Sequence, residues 1–121
     1  MSRKVLVVDD SGTMRKIIIR ALNAVGISDT VEAGDGAEGL EKFKQSGVNL
    51  VLTDWNMPNK SGVEMAREIR ALDRRVPIFM ITTEAEKTRV IEAIQAGVTD
   101  YLAKPFTAEV LREKLDKYLA T

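Results

Sequence analysis

A chain of 121 residues with 45% hydrophobic content is long enough for one domain with a true core and too short for two. Its 18 basic and 18 acidic side chains cancel to a formal net charge of zero, which leaves no electrostatic footprint for nucleic acid or an anionic membrane. With neither Cys nor His, disulfides, iron–sulfur clusters, thiol catalysis, the usual zinc sites and the commonest general base are all removed, so any chemistry falls to carboxylates, hydroxyls and amines.

Met1 to Lys4 runs directly into the apolar stretch Val5 to Val8 without a secretory hydrophobic region, and no stretch approaches membrane-spanning length. A cytoplasmic location without membrane insertion is therefore expected. After the acid doublet Asp9-Asp10, Met14, Ile17, Ile18, Ala21, Leu22 and Val25 repeat at helical spacing up to Gly26. Thr30 to Glu32 reads as a weak strand, followed by a helical stripe of Ala37, Leu40 and Phe43 that stops near Gly47. Leu50 to Leu52 is the third strand, with Asp54 just after the run that closes at Thr53. Gly62, Met65, Ala66, Ile69 and Leu72 form the next stripe, Ile78 to Ile81 the fourth strand, and Val90, Ile91, Ile94 and Val98 a further stripe broken by Gly97. Tyr101 to Ala103 is the fifth strand. Ala108, Leu111, Leu115 and Tyr118 then face one way after Thr107, whose hydroxyl can cap that helix. All five stripes are read as core.

Several strands are apolar on consecutive residues, as strands covered on both faces must be. Strand and helix alternating five times without a linker or repeat predict a single α/β domain over 1–121: a five-stranded parallel sheet with helices on both faces, doubly wound in the flavodoxin-like manner. More than one strand order satisfies that pattern. In the order 2-1-3-4-5 the first and third strands are neighbours at the topological switch point, where ligands bind outside the carboxyl ends of the strands. That order would gather Asp9, Asp10 and Asp54 on one rim, joined by Thr82 after strand four and Lys104 after strand five.

An isolated Asp at a strand end is ordinarily the cap of the following helix, whereas a doublet plus a third at a matching strand end points to chemistry. Carboxylates that close raise each other's pKa unless a cation holds them ionised, and an open cluster of hard oxygens suits Mg²⁺. A carboxylate can also attack phosphorus to give an aspartyl phosphate, a transfer that depends on positioning and on neutralising the phosphoryl oxygens. The metal, a lysine and a hydroxyl suffice for that neutralisation. Asp54, alone on its strand end, is the candidate nucleophile. Lys104, a residue type usually left to solvent, is singled out by its place before Pro105 at a strand end opposite the acids, while Thr82 alone is a weak signal because β-branched residues end strands for packing reasons.

The segments Val5 to Asp10, Leu52-Thr-Asp-Trp-Asn-Met-Pro58, Gly62, Phe79 to Ala85, Gln95-Ala-Gly97 and Tyr101-Leu-Ala-Lys-Pro-Phe106 together resemble the receiver domain of two-component response regulators, most closely its stand-alone chemotaxis class. The likeness covers essentially the whole chain. It implies the 2-1-3-4-5 order, a receiver without an output domain, and a phosphoacceptor signalling protein in place of an enzyme with a released product. It implies that Asp54 takes phosphate from a sensor histidine kinase. Asp10, Asp54 and the backbone carbonyl of Asn56 would hold Mg²⁺, with Asp9 acting largely through water. Lys104 and Thr82 would contact the phosphoryl group, Tyr101 would act as the switch, and Asn56 and Glu84 would set the phosphoryl lifetime. The same likeness implies a cis peptide at Lys104-Pro105, a monomer when unphosphorylated, and an output surface around Val90, Tyr101 and Lys114 for a downstream protein such as the flagellar motor switch. This chain departs from its best-known enterobacterial relative at Ser11-Gly12, where that relative carries a large aromatic and then serine, and at Ser61, where it carries an acid.

Other readings share parts of this pattern. A phosphorelay receiver, or one in pilus or kinase signalling, would have the same acidic rim and differ only in partner. A small aspartyl-phosphate phosphatase would carry a second Asp two positions after the nucleophile, where Asn56 stands. A flavodoxin-like carrier would have a hydroxyl- and glycine-rich phosphate loop after strand one, where Asp9-Asp10 would repel a flavin phosphate.

Overall fold

The computed structural model describes residues 3–83 and 89–119. The elements follow in strict alternation: β1 (Lys4–Val8), α1 (Gly12–Ala24), β2 (Asp29–Ala33), α2 (Gly36–Ser46), β3 (Leu50–Asp54), α3 (Gly62–Leu72), β4 (Ile78–Thr82), α4 (Val90–Gln95), β5 (Asp100–Ala103) and α5 (Ala108–Leu119). The five strands form one sheet in the order β2-β1-β3-β4-β5, and every pairing is parallel. Of the orders open to the alternating pattern, the chain adopts the one in which β1 and β3 are neighbours.

Side chains alternate across each strand, so the consecutive apolar residues divide between two cores. Leu6, Val8, Val51, Ile78 and Met80 pack with Leu40 of α2, Met65 and Ile69 of α3 and Ala93 of α4. Val5, Val7, Leu50, Leu52, Phe79 and Ile81 pack with Ile18 and Leu22 of α1 and Leu111 and Leu115 of α5. β2 is one of the two edge strands and only Ala33 in it is fully buried, which is why its apolar signal is weak.

Four of the five described helices, all but α4, begin at side-chain caps. Ser11 accepts from the Met14 N–H, Asp35 from Glu38, and Ser61 from Glu64, whose own side chain returns to the Ser61 N–H in a reciprocal capping box. Thr107 caps α5 as expected, its Oγ1 3.2 Å from the Val110 nitrogen. Ser11 and Asp35 hold helix starts close after the carboxyl ends of β1 and β2, while Ser61 and Thr107 do so at the far ends of the loops that follow β3 and β5.

The stripe in α4 differs from expectation. Ile91 is 71% exposed and Ile94 45%, while Ala93, Ala96 and Val98 form the buried face. A short helix lying close on the sheet buries its small residues and leaves the large ones outside, so side-chain size misreads its orientation. Ile17, Ala37 and Leu72 are likewise exposed members of otherwise buried stripes. The third strand also runs further than its apolar run, because Asp54 remains in register with Ile81 of β4. The Lys104-Pro105 peptide is cis.

Candidate metal and phosphoacceptor site

Because Val8 pairs with Thr53, the residues that follow each of them emerge side by side at the carboxyl edge of the sheet. Asp9, Asp10 and Asp54 each offer an oxygen there, and these atoms lie within 4.8 Å of one another. The three differ in environment. Asp9 is 1% exposed, Asp54 is half-buried and Asp10 is exposed.

Asp9 is the tightly held member. Its backbone N–H donates to the Ala33 carbonyl at 3.1 Å, and its own carbonyl accepts from Arg15 Nη1 at 2.7 Å. Its Oδ1 accepts the Ser11 N–H at 2.9 Å, but its buried Oδ2 has no hydrogen-bond partner among the described residues. Burial is the largest influence on this carboxyl and raises its pKa. The Ser11 N–H opposes that rise, the Asp54 charge adds to it, Lys104 opposes it and Asp10 adds to it. A buried carboxylate oxygen without a donor, facing two further carboxylates, fits a hard cation well.

Asp54 Oδ1 accepts the Trp55 N–H at 2.8 Å and meets Lys104 Nζ at 3.4 Å. Lys104 also lies 3.9 Å from Asp9 Oδ2. Its backbone is tied to β4, where its N–H donates to the Thr82 carbonyl at 2.6 Å. Thr82 itself is fully buried, and its Oγ1 has no hydrogen-bond partner among the described residues. The fold thus brings Asp9, Asp10, Asp54 and Lys104 together and seats Thr82 at the adjoining strand end. Asn56 is exposed in the loop after β3, and Glu84 lies outside the described residues.

Tyr101 is half-buried and packs against the core on the side of α2, α3 and α4, with Lys114 Nζ 5.1 Å from its ring centre. Lys114 is not simply solvated. Its ammonium is 2.9 Å from Asp100 Oδ2, which also accepts the Tyr118 hydroxyl at 2.7 Å. Burial pushes the Asp100 carboxyl up, but the hydrogen bonds from Tyr118, Lys114 and the Tyr101 N–H together outweigh it and hold the pKa below the ordinary value.

Sequence reasoning missed three contacts around this rim. Arg15 braces the backbone of Asp9 and reaches Glu32 at 2.9 Å, Arg89 stacks its guanidinium 4.5 Å from the Trp55 ring centre, and Asp35 accepts the Asn59 amide at 2.7 Å. Each joins residues far apart in the chain, so no local pattern signals it. Only Asn59 carried a hint, in the Pro-Asn-Lys-Ser-Gly composition of its loop.

The family model of the response regulator receiver domain matches residues 5–116. Among curated relatives, the chain is 47% identical to a chemotaxis protein, CheY-3 of Vibrio cholerae, covering 94% of this chain and 89% of the relative. It is also 47% identical to the chemotaxis protein CheY1 of Helicobacter pylori over 98% of both chains. Among solved structures, the receiver domain of a sensor histidine kinase from Pseudomonas aeruginosa superposes with a TM-score of 0.88 at 29% identity and full coverage of both chains, and that structure holds a magnesium ion in its active-site cleft.

Proposed function

Since this chain belongs to the response regulator receiver family, we propose that it is a stand-alone response regulator phosphorylated on Asp54 by a chemotaxis-type histidine kinase. The observation that carries the reading is the gathering of three carboxylates within 4.8 Å, with the Lys104 ammonium 3.4 Å from Asp54. An Asp54 carboxylate oxygen attacks phosphorus of the donor's phosphohistidine. The P–N bond breaks, its electron pair stays on the imidazole, and an acyl phosphate forms on Asp54.

Asp10, Asp54 and the Asn56 carbonyl are the residues that would hold Mg²⁺, with Asp9 acting through water. A bound Mg²⁺ supplies positive charge against the phosphoryl oxygens. Lys104 supplies a second positive charge as a point donor, and the Thr82 hydroxyl, without a partner among the described residues, becomes a donor to the phosphoryl group once it is present. Asn56 and Glu84 are the positions assigned to the lifetime of the acyl phosphate.

The response is a population shift, in which new contacts of Thr82 and Lys104 with the phosphoryl oxygens favour one arrangement of Tyr101. Output follows through the surface of α4, β5 and α5, acting in the cytoplasm as a monomer before phosphorylation. Ile91 and Ile94 leave apolar area exposed on α4, which suits a protein partner, and the flagellar motor switch is taken as that partner from the resemblance to chemotaxis regulators.

The test is Asp54→Asn, which keeps shape and loses the nucleophile. Incubated with a phosphorylated histidine kinase, the variant should gain no acid-labile phosphate while keeping the parent circular dichroism. Labelling at the parent rate would place the acceptor elsewhere.

A further inference from the structure

We infer that Asp35 and Asn59 are a pair of positioning residues for the metal site, because together they pin the loop that carries Asn56. The inference rests on the reading of the Asn56 carbonyl as a ligand.

The loop between β3 and α3 is closed at its base, where the Gly62 N–H donates to the Trp55 carbonyl at 2.8 Å. Its tip is attached to the start of α2. Asn59 Nδ2 donates to Asp35 Oδ2 at 2.7 Å, and the Gly36 N–H donates to the Lys60 carbonyl at 3.1 Å. A side chain at Gly36 would collide with that same carbonyl, so the two backbones are in direct contact. Asn56 sits between the closed base and the pinned tip.

The anchor is itself rigid. Asp35 Oδ1 is engaged as the cap of α2, accepting the Glu38 N–H at 2.7 Å, so its second oxygen is presented to Asn59 in one orientation. The Glu38 side chain returns to the Gly34 N–H at 2.6 Å, and at Gly39 the helix passes so close to Val8 and Met65 that an added Cβ would meet both. The hydrogen bond from Glu38 and then that from Asn59 hold the Asp35 carboxyl below its ordinary pKa, so the acceptor is charged and the bond is of the stronger kind.

Asn59 adopts φ 68°, the left-handed region, which an L-residue enters at a cost and glycine at none. If this position served only to turn the chain, glycine would serve it better. What asparagine adds is an amide, and that amide is on Asp35. A carbonyl ligand supported by fixed outer contacts meets a hard cation without reordering its loop, which is how residues that never touch a metal govern its affinity.

Two variants separate the pin from the local roles of its members. Asn59→Gly keeps the left-handed turn and removes the amide, and Asp35→Ser keeps a capping hydroxyl for α2 but gives up the second carboxylate oxygen. Each should bind Mg²⁺ about tenfold more weakly by calorimetric titration, the low end for loss of outer support at a metal site. The double variant should bind no more weakly than either single one, and Asn59→Gly should keep the parent circular dichroism without divalent cations. Parent-like Mg²⁺ affinity in both single variants overturns the pin and leaves the metal site standing. A parent chain that releases no heat with Mg²⁺ and melts identically with and without it overturns the metal reading, and the pin with it.

Discussion

Lys104 Nζ lies 3.4 Å from Asp54 Oδ1, so an ammonium borne just beyond β5 reaches across the end of β4 to a carboxylate on β3. This contact brings a positive charge to the acids without making it a metal ligand. Two cations on one rim repel each other, and removing the lysine relieves a bound divalent ion. Lys104→Ala is therefore expected to bind Mg²⁺ at least as tightly as the parent, by on the order of 1 kcal/mol, and to lose the response of Tyr101 to a phosphoryl mimic at Asp54. Titrations in which Lys104→Ala abolished Mg²⁺ binding while Asp10→Ala preserved it would reverse these roles.

Mg²⁺ should stabilise the fold, since only the folded chain gathers Asp9, Asp10 and Asp54. At about one hundred times its dissociation constant the ion should add about 2.7 kcal/mol to unfolding free energy. Thermal melts should rise with Mg²⁺ in the parent and barely respond in Asp10→Ala. Equal rises in the two would remove Asp10 from the ligand set.

Trp55, the only tryptophan of the chain, is 2% exposed and donates its backbone N–H to Asp54 at 2.8 Å. Its ring carries the Arg89 guanidinium 4.5 Å away, beside the start of α4. Its emission should change with Mg²⁺ and change further with a phosphoryl mimic. Arg89→Ala should alter the emission of the ligand-free chain and cost about 0.5–1 kcal/mol, the usual worth of an exposed cation over a ring. An unchanged spectrum in that variant would show that the stacked arrangement does not persist in solution.

Asp100 links β5 to α5 through Lys114 and Tyr118. Its folded pKa lies below its ordinary value, so the stability it contributes is present above the unfolded carboxylate pKa and is lost as pH falls through the folded one. Asp100→Asn should destabilise the chain by about 2 kcal/mol at neutral pH, in line with hydrogen bonds to a charged group. The difference between variant and parent should shrink in denaturant titrations as pH falls below the ordinary carboxylate pKa, and should vanish only once pH has passed below the depressed folded value, where both carry an uncharged group. A difference independent of pH would mean that packing, not charge, holds this corner.

How much of the fold was legible follows from where each element lies. The consecutive apolar residues of β1, β3 and β4 could be read because both faces of a central parallel strand are covered, leaving polar residues to the carboxyl ends of β3 and β4. β2 was weak because an edge strand needs less apolar surface. The stripe of α4 was misread because the residue the helix buries is the small Ala93, followed by Ala96 and Val98 just beyond its end, while Ile91 and Ile94 remain outside.

The sequence by itself determined the alternation of strands and helices, and with it the parallel sheet and the edge toward which every strand's carboxyl end points. It determined as well that Asp9, Asp10, Asp54, Thr82 and Lys104 all stand at such ends, because strand direction follows from chain order. Tertiary structure alone decided which ends are neighbours, how deeply each carboxylate is buried, and which distant side chains brace the rim. Strand order sets Asp54 beside Asp9. Burial leaves Asp9 Oδ2 without a donor, and a cap on α2 reaches Asn59 of another loop. These are contacts between residues far apart in the chain, and local periodicity holds no information about such pairs until the two cores have packed and brought them within reach of a hydrogen bond.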